Sequence, residues 1–205
     1  MTGPADPADG PRRRPAGRPG PLGRVSGIVL RAEGVALTAL MAAVTGLILL
    51  NVVTRTAGMA LFWVDEAAIY AMIWAVFIGA SMQIRLGAAI AVDLVPPLLP
   101  AGARRALAVL VAVLVLEFAC TLLWLSWIWY DPLGLARVGF DIAAFSGATF
   151  NFIYAEPTVT VGVPKFLVWL VVPLVAATMT LHAFANLTDV LAGRDGPRLP
   201  DLEAA

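Results

Sequence analysis

Four long apolar runs dominate the chain, at Gly34–Val53, Ala67–Ile84, Ala106–Tyr130 and Phe166–Leu187. A hydrocarbon layer about 30 Å thick is crossed by about 20 helical residues, which is the length of each run. Backbone polar groups in lipid must pair within their own segment, so each run predicts an α-helix. The pattern therefore predicts an all-α membrane protein: four transmembrane helices in an antiparallel bundle, with helices at about residues 34–53, 64–84, 104–130 and 165–188.

The connections are read from what interrupts these runs. Residues 1–23 contain six prolines and five glycines and cannot bury a core, so a disordered tail rich in proline, glycine and arginine is expected over 1–27. A short amphipathic lead-in, Val25–Glu33, then joins the first helix. The first loop, Thr54–Trp63, is short and makes helices 1 and 2 a hairpin. Gly87–Val95 is apolar but too short to span, and Pro96 and Pro97 stop it. It predicts a short helix lying in the interface between helices 2 and 3. The third loop, Asp131–Lys165, is the longest, so it is either a surface with a task or a segment resting on the headgroups. Pro173 predicts a kink in helix 4. The segment 192–205 reads as a second flexible tail, so a single transmembrane domain over 28–191 is expected.

Composition agrees. The 205 residues are 60% hydrophobic and only 14% charged, against about 25% charged in soluble domains. Net charge is zero, yet its distribution is uneven. Arg12, Arg13, Arg14, Arg18, Arg24 and Arg31 precede helix 1; Arg85, Arg104 and Arg105 lie in the second loop; Arg194 and Arg198 lie in the tail. Only Arg55, Arg137 and Lys165 fall in the other two loops. The positive-inside rule then puts both termini in the cytoplasm. Topology accounts for the arginine run, so no nucleic-acid partner is expected. Trp124, Trp127, Trp129 and Tyr130 make an aromatic belt at the opposite, outer end of helix 3. The first apolar run starts too late and is too long for a signal peptide.

Candidate chemistry is sparse. The single cysteine, Cys120, forms no intrachain disulfide. One histidine, His182, is too few for two axial haem ligands or a zinc cluster. No phosphate-binding loop is present. No cofactor and no catalysis are expected. Glu117 is the one acid deep inside a helix, so it should face protein. Trp74 and Thr45 lie at matching depth and are the expected donors to it; a proton relay or a subunit contact is the alternative. Thr178, His182 and Asn186 share one face of helix 4, read as a packing face with interhelical hydrogen bonds. Ala67, Ala71, Ala75 and Gly79 form a small-residue stripe on helix 2, beside Glu66, Tyr70 and Trp74, so helix 2 is expected to touch a partner. Asp65 and Glu66 fall in its first turn, where carboxylates suit exposed N–H groups. No inverted repeat or interrupted helix pair marks a transporter acting alone.

The stretch from Trp63, Asp65 and Glu66 through Tyr70, Trp74, Phe77, Gly79 and Ala80 to Arg85, Ile90, Val92 and Asp93 resembles the small membrane subunit of tripartite ATP-independent periplasmic (TRAP) transporters, the DctQ-like family. Gly162-Val-Pro164-Lys165, Trp169 and Pro173 add to the resemblance. Departures are Ala89, where the family often has histidine, a longer third loop and the extra N-terminal tail. The resemblance implies a small subunit in the bacterial inner membrane, paired with a large membrane subunit that holds the substrate and sodium sites. A periplasmic solute-binding protein would deliver a carboxylate-bearing solute. The resemblance makes Glu66, Arg85 and Asp93 the polar motif residues. Read from the residues alone, they are a helix cap, an interface anchor and a solvated charge. An unrelated four-helix membrane scaffold or assembly subunit remains the alternative, with a cofactor-bearing membrane enzyme subunit behind it.

Overall fold

The computed structural model describes residues 20–87 and 99–194. These form seven helices: α1 (Pro21–Thr56), α2 (Phe62–Leu86), α3 (Ala101–Tyr130), α4 (Pro132–Arg137), α5 (Ile142–Thr149), α6 (Lys165–Trp169) and α7 (Val171–Leu191). Four stretches are long and apolar enough to cross a membrane: α1, α2, α3 with its extension through Arg137, and α6 with α7. The expected interfacial helix and Asp93 lie outside the described residues.

The first helix is longer than its apolar run. It starts at Pro21, inside the segment expected to be a disordered tail, and continues without a break through Val25–Glu33. Proline suits the first helical position, where its missing N–H has no partner to lose. Gly23, Ser26, Leu30 and Glu33 are buried at three- and four-residue spacing, so one stripe packs while Arg24 and Arg31 face out. Tertiary burial of that stripe, rather than hydropathy, extends the element.

Packing is centred on α7. It contacts α1, α2 and α3, while α1 also lies along α2. Ile78 of α2, Ala119 of α3 and Val171, Val175, Met179 and Ala183 of α7 form the buried apolar cluster. Trp74 and Phe77 from α2, Leu37 and Leu40 from α1, and Val115 and Leu122 from α3 close around it. Many large apolar side chains point outward instead, among them Val35, Met41, Ile48 and Val52 of α1. Lipid supplies the environment that a core supplies in water.

The third loop is ordered by local caps. Asp131, in the left-handed region at φ 37°, accepts from the Gly134 amide and starts α4. A Cβ at position 134 would collide with the Asp131 carboxylate, so this close approach requires glycine. Asp141 accepts from the Ala143 and Ala144 amides and starts α5. Tyr154 stacks edge-on against Tyr130 and Phe145, and tilts over Phe166. The loop closes with an isolated bridge between Pro157 and Pro164. Helix 4 of the sequence is split at Leu170 into α6 and α7. Pro173 lacks the N–H that would bond the Trp169 carbonyl, which accounts for the break.

Candidate functional site

The polar residues of the spans collect at the two ends of α2, and a lone acid stands on α3. At the Trp63 end, Asp65 does not cap its own helix. It pairs with Arg55 of α1 at 2.7 Å and accepts from Asn51. Glu66 is likewise no helix cap. Its two oxygens accept from the backbone amides of Val159 (2.8 Å), Thr160 (2.5 Å) and Val161 (2.8 Å), from the Thr160 hydroxyl (2.6 Å) and from the Tyr70 hydroxyl (2.8 Å). One carboxylate thus grips the tip of the third loop. Val159, in that tip, is 85% exposed.

Below this level the Trp74 indole donates to the Val168 carbonyl of α6 at 2.7 Å. The Tyr130 hydroxyl donates to the Phe166 carbonyl at 2.6 Å, tying α3 to the same short helix. Burial, and then the nearby Asp131 carboxylate, pushes the Tyr154 phenol up from its ordinary value. An open groove of 500 Å³ beside it is lined by Trp129, Phe150, Phe152 and Trp169 and by the Lys165–Glu156 ion pair.

At the Arg85 end, three helices share a buried network. His182 is 0% exposed. Its Nδ1 lies 2.7 Å from the Ser26 hydroxyl and its Nε2 lies 3.0 Å from a Glu33 oxygen. The other Glu33 oxygen accepts from Ser81 at 2.7 Å, and Ser81 meets Thr178 at 2.8 Å. An imidazole with its proton on Nε2 satisfies every member: Nε2–H donates to Glu33 and Nδ1 accepts from Ser26. One turn further along, Arg85 donates to Asn186 at 2.6 Å and Asp189 at 3.0 Å. Asn186 donates back to the Ile84 carbonyl, and Arg194 reaches the second Asp189 oxygen at 3.1 Å. Arg85 is therefore a core residue, 3% exposed, rather than an interface anchor. Its Nε has no partner among the described residues.

Thr178, His182 and Asn186 are thus brought to one interhelical seam. Their partners Ser26, Glu33 and Ser81 escaped the sequence reading, as did Asp189, the partner of Arg85. Glu33 sits at the edge of an apolar run, where an acid reads as a solvated end. Its spacing from Ser26 and Leu30 was the signal that could have found it.

Glu117 stands elsewhere. The expected bond from Trp74 or Thr45 does not form, because Trp74 is committed to Val168 and the Thr45 hydroxyl donates to its own Met41 carbonyl. Glu117 is exposed on α3. The helix 2 stripe is also divided: Ala75 is buried, but a Cβ at Gly79 would meet no atom within 4 Å. Gly79 is not held in tight packing within this chain.

Ser26, His182 and Glu33 follow the order of a nucleophile, a base and an orienting acid. Ser26 is 0% exposed, so no substrate reaches its hydroxyl. The arrangement fastens α1 to α7 instead. Among the described residues no group of three or more His, Cys, Asp or Glu could hold a metal ion.

No curated protein matches the chain. Residues 44–193 match the family described as tripartite ATP-independent periplasmic transporters, DctQ component. The match takes in the last part of α1 from residue 44 and the whole of α2, α3 and α7, and with them the Glu66 grip and Arg85, Asn186 and Asp189, while Ser26 and Glu33 precede it. The chain belongs to the DctQ family and is the small permease component of a TRAP transporter, a multi-pass protein of the inner membrane.

Proposed function

We propose that this subunit braces a large membrane subunit during sodium-driven uptake of a carboxylate solute, which a periplasmic binding protein delivers. The observation that carries the reading is where the polar groups go. The buried carboxylates and the imidazole are spent on cross-ties between helices, at Arg85–Asp189 and Glu33–His182. A subunit that moved solute itself needs such groups aimed into a shared cavity. The grooves at residues 102–113 and 129–169 are open and lie on the outside of the bundle.

Both termini are assigned to the cytoplasm, with the spans threading up, down, up and down. The asymmetry of arginine supports this, as do the pairings Arg55–Asp65 and Glu33–Ser81, which descend along α2 as they rise along α1. The third loop then faces the periplasm, where the binding protein approaches. Asp93 is proposed to act on the opposite, cytoplasmic side.

The test is transport in vesicles. The chain, the large subunit and the binding protein are reconstituted together under a sodium gradient. Uptake is expected from the three together and from no pair that omits this chain. Uptake by this chain alone overturns the reading.

A further inference from the structure

Glu117 lies sixteen residues beyond Ala101 and thirteen before Tyr130, about 24 Å and about 20 Å from the two ends of α3 at 1.5 Å per residue. It therefore sits near mid-bilayer, too deep for a glutamate side chain to reach either headgroup layer. An acid at that depth is costly unless protein supplies a partner. No described residue donates to it, and it is exposed.

Other polar groups on outward faces behave differently. Thr38 and Thr45 of α1 are exposed too, and each donates to the carbonyl four residues earlier. That satisfies them in lipid without help. Glu117 makes no such bond, and the Thr121 hydroxyl one turn along the same exposed face is not bonded to it. Around it Leu110, Leu114, Phe118, Trp124, Leu125 and Ile128 are each at least half exposed. Together with Glu117 and Thr121 they fall at three- and four-residue spacing and make one continuous face. Towards the Arg85 end this face runs into an apolar groove of 590 Å³ lined by Gly102, Ala106, Val109 and Val113.

We propose that the α3 face centred on Glu117 is the docking face for the large membrane subunit, which sets a basic or hydrogen-bond-donating side chain against Glu117 at mid-bilayer depth. The identity of that occupant rests on the function proposed above. A second copy of this chain fits poorly. A two-fold contact through this face brings Glu117 against its own symmetry mate, carboxylate against carboxylate. A different chain with a complementary group removes that repulsion.

The test uses the assembled complex. A photo-reactive phenylalanine analogue is placed at Leu114 or Phe118, with Ile48 and Val52 of α1 as comparison positions. Adducts with the large subunit are expected from the two α3 positions, and lipid adducts alone from α1. In otherwise wild-type complexes, Glu117→Leu is expected to lower recovery of the large subunit about tenfold or more, while Glu117→Gln retains most of it. If the large subunit co-purifies but the α3 positions mark lipid or a second copy, the docking face falls and the proposed function stands. If they mark some other membrane protein and no large subunit co-purifies, both fall. Adducts from α1 to the large subunit overturn the docking face.

Discussion

Glu66 holds three consecutive amides and two hydroxyls with a single carboxylate. Glu66→Ala should release the loop tip, and hydrogen exchange at Val159, Thr160 and Val161 should accelerate. Glu66→Gln should fall between, since an amide keeps one accepting oxygen. Unchanged exchange in Glu66→Ala would refute the grip. Trp74 offers a milder case. Trp74→Phe keeps an aromatic ring but loses the donor to Val168, and should cost about 1 kcal/mol in detergent unfolding. Gly79 meets open space, so Gly79→Leu should leave the isolated chain within about 0.5 kcal/mol of wild type. A large loss there would mean that the stripe packs inside this chain after all.

Between elements, α2 and α7 are joined at Ser81–Thr178 and again at Arg85–Asn186 and Arg85–Asp189. Removing one member of a buried ion pair strands the other, at about 3–5 kcal/mol. Arg194 still reaches Asp189 when Arg85 is gone, so Arg85→Ala should lower the unfolding stability of the purified subunit towards the lower end of that range. The double change Arg85→Met with Asp189→Leu should recover most of it, as measured by the same unfolding. The spans were legible because hydrocarbon demands long apolar runs, and Thr178, His182 and Asn186 were legible because their four-residue spacing puts them on one face. The partners on other helices were not, since nothing local tells Ser81 that Thr178 is its neighbour. Glu117 shows the same limit from the other side. Its depth could be read from the chain, but whether it faced Trp74 or lipid depended on how α3 rotates against α7.

At the scale of the whole molecule, three spans gather around α7, and each end of the array is fastened by polar contacts between helices. The family was readable in about thirty residues around α2, while the ordering of the third loop came from caps at Asp131 and Asp141 that short motifs do not announce. The break at Leu170 has a mechanical consequence. A proline-induced gap between two helical pieces is ordinarily a place to swing. Here the short piece above it is pinned from both flanks, by the Trp74 indole on Val168 and the Tyr130 hydroxyl on Phe166. The joint is splinted. Any force on the third loop is passed to α2 and α3 together, so the loop can tilt only if the subunit tilts with it.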